Sequence, residues 1–189
     1  SLFPDSQKSL PDLAVEEIRL QDLSPDDSHR MLLSLFRIET IPDELSATIL
    51  KKAEGNPFYL EEVTNSLMET GILIQENNHL TLTRSITESD VPSTVQGVIA
   101  ARLDRLGREM KLVLQEASVI GRAFGYDVLK RISQIRDNID GYLQGLERLD
   151  IIRTMSLQPE LEYMFKHALT QEVVYTGLLK KERQEIHER

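Results

Sequence analysis

The chain has 189 residues, 40% of them hydrophobic, which is enough for one ordinary domain or two small ones that bury cores without staples. It contains no cysteine, which excludes a disulfide framework and thiolate metal clusters and is consistent with a reducing compartment, by default the cytoplasm. The formal net charge of −9 repels phosphate backbones, so we expect no nucleic-acid partner.

The sequence also argues against a membrane or metal role. No apolar run approaches the roughly 18 to 20 residues of a membrane span, and the first residues carry no signal-peptide pattern. We therefore expect no membrane partner. The histidines have no metal-ligand spacing and are scattered at His29, His79, His167 and His187. We predict no metal site.

Residues 1–23 read as the end of a preceding domain. They are polar and include Pro4 and Pro11. One short alternating stretch, residues 15–20, has the apolar and polar alternation of a strand. That stretch predicts an edge strand belonging to another domain.

Helical signals begin at Ser24, where Ser-Pro-Asp-Asp is a good N-terminal cap. A second helix is predicted from about Pro42 and ends at Gly55. Pro57 opens a third helix, which carries apolar residues at i, i+4 and i+8 and stops at Gly71. These three helices define a helical first half.

A β-hairpin and a connecting helix follow. Residues Ile72–Glu76 and His79–Thr83 flank Asn77-Asn78, and asparagine tolerates the positive φ that tight turns need. Pro92-Ser93 is predicted to start a helix that reaches Leu106 and joins two subdomains.

The second half predicts a winged helix. Apolar residues from Met110 to Ala117 have helical spacing, a short helix is expected at 126–133, and a third helix carries apolar residues from Ile139 to Leu149. Two short strands follow at Ile151–Met155 and Leu161–Phe165. Three helices and a hairpin make a winged helix, and further helices are expected from about 167 and 180.

Little in the sequence indicates catalysis. There is no GxxxxGK[ST] motif, so we expect no ATP hydrolysis by this chain alone. We interpret Glu61-Glu62 as a solvated helix face. Arg102 and Arg105 predict either a helix face with ion pairs to Asp104 and Glu109 or a domain contact. No catalytic residue is predicted.

The segment around Gly55 and Pro57 is more informative. Gly55 can cap one helix while Pro57 starts the next, which is ordinary helix punctuation. Alternatively, a tight Gly-x-Pro corner lets the backbone approach a flat ligand such as adenine, because glycine lacks Cβ and proline fixes φ.

Four segments in order carry a family resemblance: AEGNPFYLEEV, VPSTVQGVIAARLDRL, LQEASVIGRAF and FKHALTQEVVY. Together they resemble the predicted ATPases attached to bacterial adenylate/guanylate cyclases, which are signalling NTPases of the STAND class. The resemblance covers roughly residues 15–189. In that class a P-loop domain is followed by a helical lid, a winged helix and often helical repeats.

The resemblance implies a fold that is mainly α with small β hairpins: an AAA-type helical lid subdomain followed by a winged-helix domain. Residues 1–23 would be the remnant of the preceding nucleotide-binding domain, and 24–106 the lid with its hairpin. Residues 107–179 would be the winged helix, and 180–189 the start of a following helical region. The implied partners are the protein's own P-loop domain and downstream repeats or a cyclase output domain.

The resemblance also assigns site residues. Gly55 and Pro57 match the Gly-x-Pro motif that contacts the adenine side of the nucleotide in related apoptotic and plant-immunity ATPases. His167 aligns with the winged-helix histidine that reaches the β-phosphate of ADP in those relatives. From the residues alone, a lone histidine beside Phe165 and Leu169 is a packed or capping residue. The cofactor would be ATP or ADP, with Mg, in the parent protein, and this fragment alone would hold none.

The predicted function is therefore a regulatory module that senses the nucleotide by closing over ADP or ATP. Two alternatives are a winged-helix DNA-binding regulator and a protein-interaction scaffold. The predicted third helix disfavours the first alternative, because its acidic residues face a groove lined by phosphates. Residues 137–150 contain Asp137, Asp140, Glu147 and Asp150 against the single base Arg148.

Overall fold

The computed structural model describes residues 19–189 except 39, 77–78, 88, 136, 157 and 159. This part of the chain is mainly helical with small antiparallel sheets, as predicted. Most of the expected edge strand, residues 15–20, lies outside the described residues, and the Asn77-Asn78 turn also lies outside them. No helix in the described ranges is long and apolar enough to cross a bilayer.

The described part of the first half contains four helices and a hairpin. Their bounds are α1 Pro25–Phe36, α2 Asp43–Ala53, α3 Pro57–Glu69, β1 Leu73–Glu76, β2 His79–Leu82 and α4 Val95–Asp104. The hairpin strands pair antiparallel in register Leu73 to Leu82. We refer to residues 24–106 as the lid subdomain, a label taken from the resemblance.

Side-chain caps explain where these helices begin. The Ser24 hydroxyl accepts a hydrogen bond from the Asp27 amide at 3.1 Å, which confirms the predicted cap. Asn56 caps α3 by accepting from the amides of Phe58 and Tyr59 at 3.0 and 3.1 Å. Helix α4 begins at Val95, a little later than predicted. Its N-cap is Thr94, whose hydroxyl accepts a hydrogen bond from the first-turn amide of Gly97.

The second half has the element order of a winged helix. Its bounds are α5 Arg108–Ile120, β3 Ala123–Gly125, α6 Tyr126–Ile132, α7 Ile139–Arg148, β4 Ile152–Ser156 and β5 Glu162–Phe165, followed by α8 Ala168–Gly177 and α9 Lys180–His187. Strand β3 adds a third strand to the predicted hairpin, giving the antiparallel order β3-β5-β4. Three residues are too few for periodicity to reveal β3.

Two large apolar cores lie on either side of α4. The lid core includes Leu32, Ile49 and Leu67, and the winged-helix core includes Leu114 and Phe165. Helix α4 contributes to both cores. Its buried apolar residues are Val98, which belongs to the lid core, and Ile99 and Leu103, which belong to the winged-helix core. Burying each such side chain stabilises the fold by roughly 1.5 to 3 kcal/mol.

Candidate functional site

The Gly55 corner has a positive φ of +81°, a conformation that residues with a Cβ atom rarely adopt. The Leu23 amide donates a hydrogen bond to the Gly55 carbonyl at 2.8 Å. A Cβ atom on Gly55 would lie 2.5 Å from the Leu23 carbonyl oxygen, closer than atoms can approach. The close approach that glycine permits is therefore made here by the segment that leads into α1.

An open polar cleft of about 310 Å³ adjoins this corner. One wall is the start of α3 with Asn56, and the opposite wall is the start of α4 with Thr94. Tyr59 borders the cleft, and its hydroxyl donates to the Pro92 carbonyl at 2.6 Å. Burial raises the pKa of Tyr59 to about 12, so the phenol keeps its proton and ties the α4 wall to α3.

The ring of Phe58, the residue directly after Pro57, contacts His167. The two ring centroids are 4.0 Å apart with the planes tilted by 34°. His167 is the N-cap of α8 and follows the end of β5, which is the position the sequence predicted. The structure thus brings the first turn of α3 against His167, while Gly55 itself packs on Leu23.

The His167 imidazole lies beside a carboxylate. Its Nε2 is 3.4 Å from Oε2 of Glu61. This Nε2 atom is buried and makes no hydrogen bond within the described part of the chain. Burial lowers the pKa of His167, with the charge of Lys166 adding to burial and Glu61 opposing it. The ring is therefore neutral at neutral pH. A neutral imidazole has one nitrogen that donates and one that accepts.

Glu61 and Lys166 form an ion pair between α3 and the winged helix. The Lys166 ammonium donates to Glu61 and to Asp150. Burial by itself lowers the pKa of Lys166, but the hydrogen bonds to Asp150 and Glu61 outweigh burial and raise the pKa. Glu61 therefore contacts two consecutive winged-helix residues, Lys166 and His167.

The interpretation of Glu61-Glu62 as a solvated pair is wrong. Glu62 is only 4% exposed, and its carboxylate accepts from the Arg102 guanidinium at 2.6 Å. Burial raises the pKa of Glu62, and the charge of Arg102 offsets part of that rise. Glu61 is mostly buried as well. Buried carboxylates on a helix need partners from elsewhere in the fold. Helical spacing alone does not reveal such partners.

The partners predicted for Arg102 within α4 are also wrong. Arg102 binds Glu62 and Glu69 of α3, and the nearby Asp104 pairs with Lys111 at 2.6 Å instead. One signal was present in the sequence: Arg102 lies between apolar α4 residues that are buried in the winged-helix core. A charged residue on such a face is buried only when it is paired. The domain-contact alternative fits this geometry.

No group of three or more His, Asp or Glu side chains that could hold a metal ion is found in the described ranges. The polar groups of the candidate site lie around His167 and beside the Gly55 corner. They comprise one neutral imidazole, one ion pair and a polar cleft between two helix starts. These groups can bind and orient a polar ligand.

Comparison with known protein families finds no family that matches this chain. The chain is similar to an uncharacterized protein of Rhizobium meliloti (strain 1021), at 25% identity over 175 residues. The similarity covers 88% of this chain and 16% of that relative. The chain therefore spans a small part of the length of the relative.

Proposed function

We propose that this chain is the nucleotide-sensing regulatory module of a larger STAND-type signalling protein linked to adenylate/guanylate cyclase. In this proposal the lid subdomain and the winged helix close over ADP or ATP, with its Mg, held by a P-loop domain. The module itself catalyses no reaction. Its partners are that P-loop domain and the downstream repeats or cyclase output domain, in the cytoplasm.

The contact between Phe58 and His167 is the observation that carries the proposal. The resemblance assigns the Gly55-Pro57 corner to the adenine side and His167 to the β-phosphate of one nucleotide. These segments are far apart in sequence, yet the first turn of α3 lies against the N-cap of α8 with ring centroids 4.0 Å apart. Such proximity is what a shared site requires.

The geometry supports a role for each segment. The polar cleft beside Asn56 and Thr94 has room for a flat polar ring, and Pro57 holds the first turn of α3 beside it. The neutral imidazole of His167 can donate a hydrogen bond to a phosphate oxygen without carrying charge. Glu61 would have to give up its place beside Nε2, because a carboxylate repels a phosphate at that distance.

The structure offers no support for the DNA-binding alternative. Asp140 is exposed in the first turn of α7, the helix that would enter a groove, and Asp137 is exposed just before that helix. Glu147 of the same helix accepts hydrogen bonds from the Thr154 amide and hydroxyl at 3.0 and 2.7 Å, so it braces the β4–β5 wing. An acidic helix braced in this way is poorly suited to a phosphate-lined groove.

Nucleotide calorimetry on the polypeptide that joins this chain to its preceding sequence tests the proposal. We expect His167→Ala to weaken ADP binding by about tenfold to a hundredfold, the loss of one charge-assisted hydrogen bond. ATP binding should weaken less, because a residue that senses the nucleotide must contribute more to the binding of one nucleotide than of the other. Only such a difference in affinity shifts a two-state equilibrium. The matched control is His187→Ala, since His187 is exposed on α9.

Equal losses for both nucleotides, together with a lower melting temperature without nucleotide, would make His167 a packing residue. Failure of the unsubstituted polypeptide to bind either nucleotide would refute the proposal as a whole. The scaffold alternative would then be the better account.

A further inference from the structure

We propose that Arg102 pins the lid subdomain to the winged helix, so that the two move as one rigid body and His167 keeps a fixed position against α3. This inference does not depend on nucleotide binding. It identifies Arg102 as a positioning residue for the contact between α3 and α8.

Arg102 is 4% exposed and uses all three guanidinium nitrogens. Its Nη1 donates to Glu62 at 2.6 Å, while Nε and Nη2 donate to Oε1 of Glu69 at 3.1 and 2.6 Å. A planar guanidinium held by two carboxylates has little rotational freedom. Its orientation is therefore fixed by α3.

The same guanidinium also reaches the winged helix. Nη2 donates to the carbonyl of Leu149 at 2.8 Å, and Leu149 is the C-cap of α7. Carbonyls at a helix C-terminus carry partial negative charge and lack intrahelical partners, so a cation there is favourable. Arg102 thereby joins two helices that belong to different subdomains.

Water has little room to replace the hydrogen bonds of Arg102. A cavity of about 10 Å³ beside Arg102 is lined by Glu62, Ile99 and Ile151, among others, which is at the lower limit for a single water molecule. Separating the subdomains would break the hydrogen bond from Arg102 to the Leu149 carbonyl and leave that carbonyl without this donor, which is unfavourable. The ion pair of Lys166 with Glu61 adds a second connection nearby.

Distance measurements between the subdomains test the inference. The chain has no cysteine, so Lys51→Cys and Gln144→Cys, at exposed positions on α2 and α7, provide a single pair of spin-label sites. We expect double electron–electron resonance to give one narrow distance distribution for the doubly labelled chain that keeps Arg102, hereafter the unsubstituted chain. Arg102→Met should broaden this distribution because the pin is lost.

Arg105→Met is the matched control. Arg105 is the C-cap of α4 and also binds Glu69, at 3.2 Å, but its other partner is Ser66 of the same helix α3. Its removal should leave the distribution narrow. If Arg105→Met broadens the distribution as much as Arg102→Met, a general loss of packing explains the result, and Arg102 has no special role.

An Arg102→Met distribution as narrow as that of the unsubstituted chain would overturn the inference. Should Arg102→Met fail to fold, Arg102→Lys decides, because lysine keeps the charge but cannot span both carboxylates and a carbonyl. A narrow distribution for the lysine variant again contradicts the pin. A broad or two-peaked distribution for the unsubstituted chain would contradict rigid-body motion directly.

Discussion

The imidazole of His167 lies against the aromatic ring of Phe58 at a centroid distance of 4.0 Å, although the two residues come from different subdomains. Phe58 is in the first turn of α3, and it packs with the winged-helix core rather than the lid core. The Phe58 side chain therefore connects the first turn of α3 to the winged helix. This relationship underlies the predictions about His167.

The carboxylate of Glu61 should control the protonation of His167. We expect Glu61→Gln to lower the pKa of the His167 ring further, because the negative charge that favours the protonated form is removed while burial remains. NMR titration of the histidine ring protons measures this pKa. Asp150→Asn is the control and should have a smaller effect, since Asp150 contributes less to the pKa of His167 than Glu61 does. A His167 pKa that rises or stays constant in Glu61→Gln would contradict the observed geometry.

Substitution of Gly55 should be costly for two separable reasons. Gly55→Ala combines a positive φ of +81° with a clash against Leu23, and we expect a loss of about 1 kcal/mol or more in the free energy of unfolding. Gly71→Ala has the positive φ of +68° without any neighbour within 4 Å, so it should cost less. Gly177→Ala has neither and should cost least.

Urea unfolding of these three variants measures the order. Equal stabilities for Gly55→Ala and Gly177→Ala would show that the corner readily relaxes. The argument for a constrained approach at Gly55 would then fail. A cost at Gly71 equal to that at Gly55 would assign the whole effect to φ.

Asp90 should make folding stability depend on acid. Hydrogen bonds from Arg84 and Thr87 hold the pKa of Asp90 well below its ordinary value of 3.8. A depressed pKa in the folded state stabilises the fold above that ordinary value, and the stabilisation is lost as pH falls toward the folded-state pKa. We therefore expect Asp90→Asn to be less stable than the unsubstituted chain at neutral pH, with the difference shrinking in acid.

Unfolding curves collected over a pH series test this expectation. Asp104→Asn serves as the control, because Asp104 is 73% exposed and its ion pair with Lys111 should contribute little. A constant difference between Asp90→Asn and the unsubstituted chain at all pH values would mean that the carboxylate charge is unimportant. The loop before α4 would then be held by other contacts.

The acidic face of α7 should prevent duplex binding. Asp140 is exposed in the first turn of α7, Asp137 is exposed just before the helix, and the whole chain carries a formal net charge of −9. We expect no sub-micromolar binding in fluorescence anisotropy at about 50 mM salt, where electrostatic binding is strongest. Sub-micromolar affinity that falls steeply with added salt would instead favour the DNA-binding regulator.

Local signals predicted much of this fold, because caps and turns act within a few residues. Ser24 caps α1 as expected, and His167 lies between a strand and a helix as expected. The signals failed where partners are distant in sequence. Arg102 binds α3 residues more than thirty positions away, as its separations of 33 and 40 show, and no periodicity within α4 identifies them.

For the candidate site too, the sequence indicated individual residues but not the neighbours that tertiary packing gives them. Motif resemblance singled out Gly55, Pro57 and His167, and the structure gives Gly55 a positive φ. Their neighbours are set by tertiary packing, so Leu23, Phe58 and Glu61 did not emerge from the sequence. Whether these residues contact a nucleotide stays a prediction that calorimetry decides.

The sharing of α4 between two cores has a consequence for folding during synthesis. The lid elements leave the ribosome before the winged helix does, because chains emerge from the N-terminus. Until α5 to α8 follow, Ile99 and Leu103 have no winged-helix core to cover them. Helix α4 then presents an apolar stripe that other chains or chaperones can bind. The emergence of the winged helix is the event that ends this exposure.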